Sequence, residues 1–223
     1  ALLFFMISFN LILPELNEFI TNLGGEDQKG LIFALFAISA AVSRPFSGKL
    51  SDTIGRKKVM LLGMVICVII TLLYPLFGLV SIFLFLRFLH GFSAGFLPTG
   101  ATALITDILP AHKRGRGMGV WGVFTALGIG VGQFLGSMMR IEFGMTNLFF
   151  ISAFFAVLSG VMIMTVKETL PNPVKFKWAL LKIKWVDVFE PRVMPVAIVM
   201  FLSAVSSGIV FVITQDISGF LEL

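Results

Sequence analysis

Three groups of residues in this sequence have the types and spacing to do chemistry. Arg87 and His90 lie one helical turn apart inside the apolar run LRFLHGFSAGFLPTGATALITD. A guanidinium carries five donors and a permanent charge, so within an apolar span it calls for a cavity or a partner. Glu15, after Pro14, is the carboxylate expected to reach it. The second group is GKLSDTIGRKK, Gly48 to Lys58, where Asp52 is a single acid among Lys49, Arg56, Lys57 and Lys58. The third is Asp107, which ends an apolar run just before Lys113, Arg114 and Arg116. A carboxylate at a helix start accepts backbone N–H groups and pairs with a nearby arginine. Exposed pairs of this kind contribute only about 0–1 kcal/mol each, which suits a contact that must open and close. No GxxxxGK[ST] phosphate loop, metal-ligand cluster or nucleophile–base–acid set is present. The expectation is therefore no enzyme, no metal and no cofactor.

The elements that must position these residues are apolar helices. Hydrophobic residues make up 57% of the 223-residue chain and charged residues 13%, about half the usual share of a soluble domain. The apolar runs are continuous and about 20 residues long, which predicts membrane-spanning helices rather than barrel strands. Seven spans are predicted: 1–19, 30–47, 59–79, 81–104, 118–139, 147–166 and 194–215. Cys67, the only cysteine, falls within the third, so a disulfide within the chain is impossible. The first span lacks a basic leader and a cleavage site, so it does not read as a signal peptide. The chain opens inside apolar sequence and stops soon after the seventh span, which reads as part of a longer protein.

Loop charge gives an orientation. Lys49 and Arg56 to Lys58, then Lys113, Arg114 and Arg116, then six basic residues from Lys167 to Arg192 occupy the even-to-odd loops. Only Lys29 and Arg140 lie on the other side. The positive-inside rule places the even-to-odd loops and the N-terminus in the cytoplasm. The net charge of +5 follows from this topology and from anionic inner-leaflet lipid, with no nucleic-acid partner required. The longest loop, 167–193, carries three prolines and the stretch KFKWALLKIKW, whose Trp178 and Trp185 suit headgroup depth. The predicted organisation is a six-helix bundle over 1–166, a central cytoplasmic loop over 167–193, and a seventh span over 194–223 that begins a second bundle.

Small residues recur at helical spacing. Gly91 and Gly95 form one close-packing face, and Gly128, Gly132 and Gly136 another. Pro98 is expected to break the fourth span. Asn10, Gln133 and Gln215 are polar residues inside or at the ends of spans and are candidates to line a substrate cavity.

The stretch from Gly48 to Lys58 resembles the loop 2–3 motif of the major facilitator superfamily, G-x-L-x-D-R-x-G-R-[KR]-x-[KR], with Thr53 where a basic residue is usual. Arg87, Gly91 and Gly95 are similar to that family's span 4 motif. Gly132 and Gly136 match part of its span 5 antiporter motif, with Gln133 in place of the proline. The resemblance implies an all-α, twelve-span transporter fold, of which this chain covers the first six-helix bundle and the start of the second. It also implies a cytoplasmic gate in which Gly48, Asp52, Gly55, Arg56 and Asp107 latch one state closed. Arg87, with Glu15 as its candidate partner, would take part in proton coupling.

The function expected is secondary active transport of a small molecule across the bacterial inner membrane by alternating access, as proton-coupled efflux (an antiporter). The alternative is a proton-coupled symporter that takes up a sugar or small organic solute. A self-contained seven-helix receptor fits less well, because it gives no reason for Asp52, Gly55 and Arg56 at their spacing. The partners are a small-molecule substrate, protons, the lipid bilayer and the missing C-terminal half of the chain.

Overall fold

The computed structural model describes residues 1–183 and, beyond them, only Pro191, Met194, Pro195, Ile198, Val199, Leu202 and Ser203. Gln215 and most of the predicted seventh span therefore lie outside the described residues. Lys182–Leu223 form one compact unit and Ala1–Leu181 another, larger one.

Its regular structure is helical. Helix α1 (Leu2–Ile12) passes through one 3-10 turn at Leu13–Glu15, started by Pro14, into α2 (Leu16–Asn22). These are followed by α3 (Lys29–Ile54), α4 (Arg56–Leu73), α5 (Val80–Ile108) and α6 (Arg114–Thr165). Among the described residues five stretches are long and apolar enough to cross a membrane: Leu2–Asn22, Glu26–Ile54, Arg56–Leu76, Val80–Ile108 and Ala111–Thr165. The last holds two spans. Gly144, at φ 79 and ψ 166, takes a backbone conformation open to glycine and reverses the chain there.

The contacts of α1 fix the direction of the two arms. On the first arm (114–143), Gly128 meets Leu3 and Met6, while Gly136 meets Leu11, so this arm runs parallel to α1. On the second (145–165), Ser152 Oγ donates to the carbonyl of Ser8 at 2.7 Å and Ser159 Oγ to that of Ala1 at 2.8 Å, so this arm runs antiparallel. Six spans thus alternate in direction, as the short connections require.

Glycines set the packing. A Cβ on Gly128, Gly132 or Gly136 would run into the backbone of α1 at Leu3, Ile7, Asn10 or Leu11. Gly91 and Gly95 of α5 face Ser39, Ser43 and the carbonyls of Phe36 and Ala40 on α3. The serines form a ladder that sequence reading missed. Ser39, Ser43 and Ser47 recur every four residues and are fully buried, and Ser47 Oγ donates to the Gly95 carbonyl at 2.8 Å. Such small faces let helix backbones approach closely where no hydrophobic force drives helices together.

Two expectations about breaks in the helices are corrected. Pro98 does not interrupt α5, which is continuous from Val80 to Ile108. Hydroxyls bond the carbonyls around it: Thr99 Oγ1 donates to Gly95 and Thr102 Oγ1 to Pro98. Nor is Gly48 part of a turn. Helix α3 runs on to Ile54, and nothing lies within 4 Å of a Cβ placed on Gly48. The reversal is confined to Gly55, at φ 120 and ψ 146.

Candidate functional site

The chemistry-bearing residues gather at opposite ends of the bundle. At the end carrying Gly55, the first N–H groups of α4 have no partner within their helix. A carboxylate from 112 residues along the chain supplies one. Glu168 Oε1 accepts the N–H of Arg56 at 3.0 Å, and Oε2 accepts that of Lys57 at 3.1 Å. Oε1 also accepts from Thr169 N and Leu170 N, which curls the chain around the carboxylate. A side chain on Gly55 would collide with this carboxylate, so the position needs glycine for space as well as for φ.

The Arg56 side chain then joins three elements. Its Nε donates to Asp107 Oδ2 at 2.8 Å at the end of α5. One terminal nitrogen donates to the Ser51 carbonyl at 2.7 Å, and the other lies 3.3 Å from Asp52 Oδ1 on α3. Thr169 Oγ1 donates to the same Asp107 oxygen at 2.7 Å. Asp52 is 70% exposed and Asp107 32%. The structure therefore brings Asp52, Gly55, Arg56 and Asp107 together, with Glu168 and Thr169 as unforeseen members. Every one of these contacts lies within the larger unit. Lys57, one of the basic residues of the loop, donates from Nζ to the Met164 carbonyl at 2.5 Å.

At the other end, Arg87 is fully buried. Its partners are weak and neutral. Nε lies 3.4 Å from the Ile32 carbonyl, Nη1 lies 3.5 Å from the Tyr74 hydroxyl, and Nη2 has no partner. The guanidinium carbon stands 4.7 Å from the Phe36 ring centroid and 6.0 Å from that of Phe9. Cation–π attraction offsets part of the desolvation, by about 2 kcal/mol when water is excluded. Among the described residues no carboxylate forms an ion pair with Arg87.

Tyr74 links Arg87 to His90, whose Nδ1 lies 2.8 Å from the hydroxyl. A guanidinium can only donate, so the Tyr74 oxygen accepts from Arg87, and the same hydroxyl shares a hydrogen bond with His90 Nδ1 in which either atom can be the donor. The other ring nitrogen, Nε2, is buried without a partner. Phe9 and Phe36 pack edge-on against the imidazole.

Glu15 does not meet Arg87. It sits on the side of the first span turned toward the first arm of α6. There Ser137 Oγ donates to it at 2.7 Å and Arg140 Nε lies 2.6 Å away, a charge contact without good hydrogen-bond alignment. Arg140 Nη1 donates to Glu18 at 2.6 Å. Asn10, a cavity candidate, spends its amide on the Met6 carbonyl at 2.9 Å and packs its Cβ toward Gly132. Gln133 is half-buried on the first arm of α6, next to the glycine face.

Comparisons with known proteins agree with this architecture. The Major Facilitator Superfamily model matches residues 1–222. Multidrug resistance protein 2 of Bacillus subtilis (strain 168) is 34% identical over 167 residues, covering 74% of this chain and 41% of that protein. Quinolone resistance protein NorA of Staphylococcus aureus (strain MRSA252) is 28% identical over 207 residues, covering 89% of this chain and 53% of that protein. The chain spans about half the length of these relatives. Among solved structures, the human organic anion transporter MFSD10 (TETRAN) superposes with a TM-score of 0.68 at 24% identity, over 83% of this chain and 49% of that one. That likeness speaks to the fold.

Proposed function

The chain belongs to the Major Facilitator Superfamily, and we propose that it forms the first half, with the start of the second, of a secondary transporter that exports a small organic molecule in exchange for protons. The observation that carries the reading is Arg87, a permanent charge that is fully buried and has no counter-ion among the described residues. A buried charge left unpaired is costly, and its retention inside a span marks a pathway or a coupling site. In this reading its partner is a carboxylate of the second bundle or the substrate, and protonation decides which is bound. Glu15 belongs instead to a separate outer-end network with Arg140. The names of the relatives, multidrug and quinolone resistance, support efflux of drug-like compounds.

Alternating access would rock the first bundle against the second around a site at mid-membrane. The first bundle moves as one body because Arg56, Asp107, Glu168 and Thr169 tie its helix ends together. Asp52, the most exposed member, is the one available to meet the second bundle when the cytoplasmic side closes. The assignment places loop 2–3 and the N-terminus in the cytoplasm, residues 1–166 in the first bundle, 167–193 in the central loop and 194–223 in the seventh span.

The test is transport by the complete gene product in inverted membrane vesicles. An imposed proton gradient should drive uptake of a fluorescent drug into the vesicles, and Arg87→Ala should abolish that uptake while leaving expression and detergent stability intact. Gradient-driven transport that survives the substitution unchanged would refute the assignment.

A further inference from the structure

The segment after the last helix crosses the Gly55 end of the bundle as a strap with two unlike sides. Its inner side is fastened by Glu168 to the start of α4 and by Thr169 to Asp107. Further along, Val174 N–H donates to the Thr53 carbonyl at 2.9 Å, and Leu180 and Leu181 pack against Leu50, Ile54, Val59 and Phe96. The outer side carries Lys175, Phe176, Lys177 and Trp178, all exposed. Trp178 is 80% exposed and Phe176 47%, and their rings meet edge to face with centroids 5.5 Å apart. From Thr169 to Val186 there is no acidic residue.

An aromatic pair that alternates with two ammonium groups is poorly suited to water on one side and to hydrocarbon on the other. It suits the boundary between them, where indole rings settle and basic side chains meet phosphate. The strap lies at the ends of membrane-spanning helices, so such a boundary is within its reach. We propose that the outer side of the strap docks on anionic phospholipid headgroups of the adjacent leaflet, with Phe176 and Trp178 inserted and Lys175 and Lys177 on the phosphates. Charge complementarity selects the lipid, since two exposed lysines that form no ion pair among the described residues gain from an anionic surface and not from a zwitterionic one. Docking would also brace the Arg56–Asp107–Glu168 cluster, because the inner side of the same segment forms part of it.

The experiment uses the complete protein in two kinds of vesicle, phosphatidylcholine alone and phosphatidylcholine mixed with phosphatidylglycerol. Trp121→Phe with Trp185→Phe isolates the signal of Trp178 from the other two tryptophans of the sequence, any further ones in the complete protein being removed likewise. The expected result is quenching of Trp178 by brominated lipid and protection from iodide in the anionic vesicles, lost at high salt. Removing one lysine, as in Lys177→Gln, should lower the ratio of docked to undocked strap about five-fold. Should replacement of Trp121 harm folding, a nitroxide on F176C in a C67A background reads the same depth. A residue 178 or 176 that stays equally open to aqueous reagents in both vesicles overturns the proposal and leaves a soluble protein as the partner for the patch.

Discussion

The carboxylate of Glu168 caps the helix that Arg56 begins, across 112 residues of chain. It accepts the N–H groups of Arg56 and Lys57 at 3.0 and 3.1 Å and puts a negative charge at the positive end of the α4 dipole. The loop 2–3 charge cluster is therefore held from the far end of the sixth span, outside the motif itself.

Glu168→Ala should cost about 0.5–2 kcal/mol, the usual range for a lost helix cap. Gly55→Ala should cost about 1–3 kcal/mol from backbone strain alone, and more because its methyl meets Glu168. Gly48→Ala, in open helical space, should be neutral or slightly stabilising. Thermal unfolding of the three variants in detergent checks the order. A Gly48→Ala variant as damaged as Gly55→Ala would contradict the placement of the turn.

The glycine face of the first arm of α6 gives a second contrast. Gly136→Ala places a methyl against the Leu11 carbonyl, whereas Gly130→Ala meets nothing within 4 Å. The first should lower the unfolding midpoint by several degrees and the second should leave it unchanged. Equal midpoints would mean that α1 does not pack on Gly136.

Much of this was legible in the sequence. Continuous apolar runs announced the spans, and glycine repeats at every fourth residue announced the faces on which α1 and α3 pack. The ladder of Ser39, Ser43 and Ser47 has the same spacing and was open to the same reasoning. Glu168 was harder to find, because nothing local relates an acid after the sixth span to a helix start near residue 56. Its one signal is that it is acidic in a basic loop, the same oddity that drew attention to Asp52. Glu15 was misplaced for a related reason. Depth along a span can be read from sequence, but the face on which a side chain emerges depends on neighbours, and here Ser137 and Arg140 were the neighbours.

Orientation has its own test. Gly25 is buried, and a side chain there would press on Ile20 and Val80, so Asp27 on the same connection is the better reporter position. Asp27→Cys in a C67A background should react with a membrane-impermeant maleimide in intact cells. Lys113→Cys should react only after permeabilisation. The reverse pattern would invert the bundle and remove the loop 2–3 cluster from the cytoplasm.

Arg87 and its neighbours predict a graded loss of coupling. Arg87→Ala removes the charge and should abolish proton-driven transport. Arg87→Lys keeps the charge but not the planar fork over Phe36, and should be poorly tolerated. Tyr74→Phe removes the hydroxyl between Arg87 and His90 while leaving the aromatic packing, so it should alter the pH profile of transport more than the unfolding midpoint. Drug transport measured across external pH in proteoliposomes separates these outcomes. A Tyr74→Phe profile that overlays the parent would mean that the Arg87–Tyr74–His90 chain is packing alone.

The loop 2–3 cluster makes the last prediction, because its members are not equivalent. Asp107 binds Arg56 Nε and Thr169 Oγ1 and is only 32% exposed, so it works mainly within the bundle. Asp52 is 70% exposed and touches Arg56 at a longer 3.3 Å, so its pairing adds about 0–1 kcal/mol to stability. Asp107→Asn and Arg56→Ala should therefore lower the unfolding midpoint, and Asp52→Asn should barely move it. If Asp52 is the contact that meets the second bundle, Asp52→Asn should instead shift the balance of inward- and outward-open states, which a shift of a few kcal/mol is enough to change. Lys57→Ala loses the bond to the Met164 carbonyl and should show a small loss of stability with no shift in states. Accessibility of a cysteine at the helix ends around Gly55, read beside the unfolding midpoint for all four variants, distinguishes these roles. If Asp52→Asn moves the midpoint as far as Asp107→Asn and leaves accessibility unchanged, Asp52 is a structural member of the bundle and the gate must be sought elsewhere.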